Sequence, residues 1–210
     1  GFSKTHVRGT DVYNVNMREY DNATLSAQLP ATVDWDGKLQ GKLTVDRGYI
    51  LTGIKINGKA AYKGGAQEGG SLVYDFEIGI EDLDLAWNVT DLDVEFVVIE
   101  ASYVNATFTL KGNSGGKLTA VAEGTQITLV DDFGNEISAE VGANGSVTVN
   151  NLLCQHYVIK IKDYLDGEMN VISADVGDVV VEYEFASPIG DVSHLVDLSH
   201  MNDESATITM

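Results

Sequence analysis

The chain alternates apolar and polar residues with a period of two and interrupts the alternation with turn signals at short intervals. That pattern excludes most architectures before composition is considered. Tyr49-Ile50-Leu51-Thr52-Gly53-Ile54-Lys55-Ile56 runs straight into Asn57-Gly58. Asn and Gly both tolerate positive φ, so this pair after an alternating run reads as a hairpin turn. Leu72, Tyr74, Phe76 and Ile78 alternate with Val73, Asp75 and Glu77, and Val94, Phe96 and Val98 continue the theme. Further strands are expected at 126–130, 146–149, 157–162 and 179–185. Between the runs stand Asp36-Gly37, Asp46-Arg47-Gly48, Phe133-Gly134-Asn135, Ala143-Asn144-Gly145 and Asp166-Gly167. Short strands with closely spaced turns predict an all-β protein of sandwich type. Only Glu81 to Trp87 has room for a brief helical turn.

The 210 residues suit one large domain or two of about 100 residues each. The pattern changes in kind near residues 101–106 and again near Ala186-Ser187-Pro188. The expected division is therefore 1–105, 106–187 and a C-terminal extension 188–210, with two tandem β-sandwiches in the first two segments. The Gly-rich stretch Lys63 to Gly70 reads as a mobile hairpin tip. Asn22-Ala23-Thr24-Leu25, Asn105-Ala106-Thr107-Phe108 and Ser205-Ala206-Thr207-Ile208 form a faint echo. It reads either as the opening strand of repeated modules or as ordinary strand composition. The tail Glu204 to Met210 alternates like a strand and is expected to pair with a sandwich edge or a neighbouring molecule.

Charge narrows the partners. Thirty-two Asp and Glu against 13 Lys and Arg give a formal net charge of −19. Such a field repels phosphate, which argues against nucleic acid, and it disfavours anionic membrane surfaces. No apolar run is long enough to span a bilayer. Gly1-Phe2-Ser3-Lys4 lacks an apolar signal-peptide core, so the signal of a secreted parent would lie outside this chain. The single Cys154 excludes an internal disulfide framework.

Residues 107–185 resemble the prealbumin-like sandwich domains of bacterial surface proteins, the collagen-adhesin B-type and carboxypeptidase-regulatory-like domains. The likeness is carried by Gly124-Thr125-Gln126-Ile127-Thr128-Leu129-Val130-Asp131-Asp132-Phe133-Gly134. It continues through Ala143-Asn144-Gly145-Ser146-Val147-Thr148-Val149-Asn150-Asn151-Leu152 to Tyr157-Val158-Ile159-Lys160. The resemblance implies that Leu152 and Tyr157 face the core. Some such domains carry a Lys–Asn isopeptide bond between first and last strands. Lys111 fills the first role, but the run 179–185 contains no Asn. In the first half, Gly48 to Lys59 resembles hairpins in surface-protein repeats.

Several groupings invite a chemical reading. Glu81, Asp82, Asp84, Asp91 and Asp93 surround Trp87 and supply the hard oxygens a calcium ion takes, with Asp82, Asp84, Asp91 and Asp93 as the candidate ligands. The plain alternative is a solvated acidic loop, and a glycosidase pair is the remote one. Trp35, Trp87, Tyr49 and Tyr62 are candidates for stacking on sugar rings; core packing is their ordinary role. Tyr74 belongs to the same aromatic-rich half. Cys154 with His156, and His194 with His200, carry metal-ligand chemistry without a full ligand set. The formal glycosylation sequons at Asn22, Asn88, Asn105 and Asn144 read as turn and strand residues. No P-loop, G-x-S-x-G or H-E-x-x-H motif occurs. The expected protein is a non-catalytic module pair of a secreted or cell-surface bacterial protein, serving adhesion, spacing or presentation. Its partner would be an extracellular protein or a glycan. It is expected to be a monomer, or a weak oligomer through its tail, and to need no cofactor, calcium being the open case. The alternative is a carbohydrate-binding module accessory to a glycoside-active enzyme.

Overall fold

A computed structural model describes residues 12–162, 164–172 and 175–182. The chain divides into two compact units, residues 1–101 and 102–210. Both are all-β, and each packs two sheets face to face, so the architecture is two β-sandwiches in tandem.

The first unit contains β1 (Val12–Met17), β2 (Ala23–Leu25), β3 (Thr32–Asp34), β4 (Lys38–Val45), β5 (Tyr49–Ile56), β6 (Lys59–Lys63), β7 (Val73–Gly79) and β8 (Asp91–Glu100). One sheet has the order β3-β1-β8-β5-β6 and the other β2-β4-β7. The alternation read from the sequence is realised on β7, where Tyr74, Phe76 and Ile78 are buried and Val73, Asp75 and Glu77 face water. Leu39, Leu43 and Val45 of β4, Leu51, Ile54 and Ile56 of β5, and Leu92, Val94 and Phe96 of β8 complete the core. Phe76 and Phe96 meet edge to face across it, with ring centres 5.5 Å apart. Asn57 and Gly58 take φ of 52° and 78° and turn the β5–β6 hairpin as their sequence predicts.

On β5 the alternation fails: Ile50 through Ile54 are all buried. The register against β8 slips between Leu51 and Gly53, leaving Thr52 as an extra residue in a bulge. Its buried hydroxyl donates to the Val97 carbonyl at 3.1 Å, which satisfies the polar atom the bulge turns inward.

The Gly-rich stretch departs from the expected hairpin tip. It carries the chain from β6 in one sheet to β7 in the other, and it is bound down. The N–H groups of Gly64 and Gly65 donate to the carbonyls of Thr52 (3.0 Å) and Leu51 (2.7 Å). The buried Tyr74 hydroxyl donates to the Gly65 carbonyl at 2.9 Å and accepts the Leu51 N–H at 3.3 Å. Gln67 donates to the Val73 carbonyl, and Tyr62 to that of Asp75 at 3.3 Å. These last two bonds occupy acceptors on the outer edge of β7, the side turned away from β4, and so blunt an edge open to pairing with another chain.

The second unit contains β9 (Tyr103–Ser114), β10 (Lys117–Ala120), β11 (Gln126–Val130), β12 (Glu136–Glu140), β13 (Ser146–Leu153), β14 (His156–Ile161), β15 (Gly167–Asn170) and β16 (Asp175–Glu182). In one sheet the long β9 pairs on one side with β13 and β10 and on the other with β16. The second sheet runs β12-β11-β14-β15. Phe108, Leu110, Leu129, Val147, Leu152, Tyr157, Ile159 and Val181 fill the space between them. Leu152 and Tyr157 are each 1% exposed, on the inner face where the sequence likeness places them. Tyr157 keeps its hydroxyl satisfied by donating to the Leu153 carbonyl at 2.9 Å. Cys154 packs half-buried against this core.

The sequence echo does not mark equivalent positions. Ala23 opens the short second strand of the first unit, at the edge of its smaller sheet, whereas Ala106 lies inside the central first strand of the second. The third copy of the echo, the rest of the tail and the residue-187 boundary lie outside the described residues.

Gly64 gives the sharpest test of this packing. A methyl group there would run into the Leu51 carbonyl oxygen, a backbone atom that cannot swing aside. Gly64→Ala is expected to destabilise the first unit by about 2–3 kcal/mol in urea denaturation. Gly48, with φ of 89° and open space around it, should cost about 1 kcal/mol on the same change, from backbone conformation alone. Equal costs at the two positions would refute the close approach.

Candidate functional site: the loop end of the first unit

Three connections gather at one end of the first unit. The turn after β3 closes with the Gly37 N–H on the Asp34 carbonyl, and the Ile80 N–H in turn donates to the Gly37 carbonyl at 3.0 Å. This joins the Trp35 turn to the segment leading into β8. The Asn57 turn reaches the start of β8 from the other side: its N–H donates to the Asp93 carbonyl, its Nδ2 to the Asp91 carbonyl, and its Oδ1 accepts the Asp93 N–H. Loops collected at one end of a sandwich are where a rigid scaffold presents variable chemistry.

The parallel pairing of β1 with β8 sets Asn14 opposite Asp91 and Asn16 opposite Asp93. Their side chains form an exposed polar ladder. Asn14 Nδ2 donates to Asp91 Oδ1 at 3.1 Å, Thr90 Oγ1 to Asp91 Oδ2 at 3.0 Å, and Asn16 Nδ2 reaches Asp93 at 3.4 Å. The hydrogen bonds from Asn14, then Thr90 and Asn16, hold the Asp91 carboxyl below the usual carboxylate range.

The four candidate calcium ligands fall into two places. Asp91 and Asp93 are rungs of the ladder on β8. Asp82 ends the short 3-10 turn Ile80–Asp82, its carboxylate folded over Gly79, and Asp84 follows in the loop. Among the described residues no three acidic, His or Cys side chains come together in a group suited to a metal ion.

The four candidate stacking aromatics are also dispersed. Trp35 packs half-buried against the first core. Tyr49 begins β5, whereas the Asn57 turn that touches β8 follows its end, so Tyr49 lies about 23 Å away along an eight-residue strand. Tyr62 sits on β6, edge to face with Phe76 at 6.3 Å. Burial, and secondarily Asp75, push its phenol pKa up. Trp87 alone projects, 61% exposed.

Elsewhere, Lys111 Nζ meets Asp178 Oδ2 at 2.6 Å, joining first and last strands of the second unit as an ion pair. His156 does not share a site with Cys154: its Nδ1 lies 3.0 Å from Asp132 and its Nε2 3.9 Å from Glu168. His194 and His200 lie outside the described residues. Sequence reasoning missed Asn14, Asn16 and Asn57. The Asn-x-Asn spacing on a strand marks a shared face, but the partner strand lies 77 residues away for the Asn14–Asp91 bond.

The ladder has a pH signature. A carboxyl whose folded pKa is depressed contributes stability above its unfolded pKa and loses it as pH falls through the folded value. Asn14→Ala should raise the Asp91 midpoint in an NMR carboxyl titration. The stability gap between the native chain and Asn14→Ala should be largest near neutrality and shrink in acid. A gap that stays constant with pH would show that Asn14 acts by packing alone.

No protein-family model matches the chain, and no curated protein matches it. Solved structures with all-β content do. A minor pilin of Streptococcus agalactiae shares 11% identity at a TM-score of 0.35, over 77% of this chain and 67% of the pilin. A streptococcal ancillary pilin shares 13% at 0.32, over 84% and 63%. The TIE protein of Bacillus anthracis shares 11% at 0.29, over 82% and 34%. The chain spans from about a third to about two thirds of the length of these proteins. At such scores the likenesses carry no argument, and the fold rests on the strands described above.

Proposed function

We propose that this chain is a non-catalytic spacer and presentation segment of a bacterial cell-surface protein, built to bear tension along its length. One observation carries this reading. In both units the first and last of the described strands are neighbours and run parallel: β1 with β8, and β9 with β16. A parallel pair brings the chain in at one end of the unit and lets it out at the other, so each unit adds length. A pull on the chain ends loads the bonds between the two strands in shear, all together, whereas an antiparallel terminal pair would open one bond at a time.

Other features agree with a life under load outside the cell. Ala101 and Ser102 alone separate β8 from β9, leaving little slack chain between the units. Lys111–Asp178 ties the second pair at the surface; half-exposed, it adds little free energy but resists sliding. Exposed edges are guarded by charge and capping: Lys59 and Lys63 on β6, Glu136 and Glu140 on β12, Gln67 and Tyr62 on β7. The acidic surface keeps copies of the chain apart in solution.

Force spectroscopy on the whole chain between handle domains tests the proposal. The pairing is four residues long in the first unit, from Asn14–Asp91 to Met17–Val94. In the second it extends from Thr107–Asp175 to Asn113–Glu182. Two unfolding peaks are expected, the lower from the first unit. Gly64→Ala should lower that peak alone, since forced unfolding reads the barrier of the loaded unit. Extension of both units without resolved peaks would sink the tension-bearing role.

A further inference from the structure

Trp87 stands apart from the rest of the molecule. Indole rings are rarely left in water, and the other tryptophan, Trp35, packs against the core. The segment that carries Trp87 is not loose. The Val89 N–H donates to the Ala86 carbonyl at 3.1 Å, closing a turn with Trp87 and Asn88 at its middle, and the Leu85 N–H donates to the Leu83 carbonyl at 2.9 Å. Leu83 and Leu85 before the turn, and Val89 after it, pack against the first core. Three half-buried anchors therefore hold out one large exposed ring. Presenting a ring this way costs little entropy on binding, because the backbone beneath it is already fixed.

The charge of the segment that carries the ring selects its partner. From Lys63 to Lys111 the chain has no Lys, Arg or His, and it has ten Asp and Glu. Glu81, Asp82 and Asp84 precede the turn and are exposed. Lys38, whose ammonium feels the Asp82 charge, is held by Glu77 at 2.6 Å. Among the described residues Glu81 and Asp84 have no ion-pair partner. A neutral glycan would stack on the ring and donate its hydroxyls to the carboxylates but leave their charge unbalanced, and an acidic glycan is repelled by that charge. An uncharged apolar peptide uses the ring but wastes the carboxylates. A guanidinium or ammonium uses both, lying over the indole face while pairing with the acids.

We propose that the Trp87 turn is a docking knob for an extended, Arg- or Lys-bearing segment of another protein. This goes beyond the tension-bearing role and does not depend on it. The knob stands at the end of the first unit where β8 begins, opposite the end from which the chain continues to Ser102. Recognition and the exit of the loaded chain are thus kept at separate ends of that unit.

Calorimetric titration of the whole chain with an oligoarginine peptide at physiological salt tests the proposal. Trp87→Ala is expected to weaken binding about tenfold, the range of a desolvated cation–π contact at a hot spot. The paired change Glu136→Gln with Glu140→Gln, two acids of the second unit, should change affinity by less than about twofold, the size of a general loss of surface charge. Trp87 is exposed, so its truncation should leave the thermal melt unchanged, and the melt is measured alongside. The proposal is overturned if the peptide does not bind, or if the two variants weaken it equally, which would mean a non-specific field. It is overturned also if a neutral oligosaccharide binds in a Trp87-dependent manner and the peptide does not.

Discussion

Parallel pairing of the first with the last described strand is the constraint on which the rest of each unit depends. It closes the larger sheet of the first unit around β8 and makes β9 the centre of its sheet in the second. It brings together segments 77 residues apart in the first unit and 68 or 69 apart in the second, at a loop-closure cost that grows only slowly with length. The cores recover that cost. Leu92 and Phe96 on β8, and Phe108 and Leu110 on β9, point into the cores against the opposing sheets, from strands paired along both edges. Strands flanked on both sides must bury one face and satisfy both edges. Thr52 and Tyr74 show how: each buried residue satisfies its hydroxyl by donating to a backbone carbonyl, that of Val97 or of Gly65.

What could be read locally was legible in the sequence. The β7 alternation, the Asn57-Gly58 hairpin and the inward Leu152 and Tyr157 all follow from periodicity, turn chemistry or a patterned resemblance. What depends on distant partners was not. The Gly-rich stretch has the composition of a free tip, yet its glycines are needed because Gly64 passes against the backbone of β5. Glycine content reports permitted conformations and close approaches alike, and only the neighbouring strand decides between them. The bulge at Thr52 was hidden for the same reason, since a single extra residue matters only against a partner register.

The candidate site shows the same division. Proximity in sequence grouped Asp82, Asp84, Asp91 and Asp93, but a 3-10 turn and a strand start send them to two places. The stacking set was grouped by residue type, and the sandwich spreads it from the start of β5 to the far loops. Trp87 could be singled out only once Leu83, Leu85 and Val89 were seen to be anchors. An apolar run through a loop is ambiguous by itself, because any of its members could be the one left outside.

Recognition and load make opposite demands on a sandwich. Load requires long, regular, buried pairing between the terminal strands, and any loop chemistry inserted there would shorten it. Recognition requires a side chain that the core does not claim. In the first unit the two proposed roles meet along β8. Its alternating segment, Leu92 to Phe96, serves the core, and its first residue, Asp91, anchors the polar ladder. The ten residues before it, Glu81 to Thr90, pack half-buried leucines against the core and leave Trp87 exposed. The ladder from Asn14 and Asn16 fixes the point at which one role gives way to the other. A strand whose beginning is pinned by hydrogen bonds to a parallel neighbour can carry tension without moving the turn that precedes it.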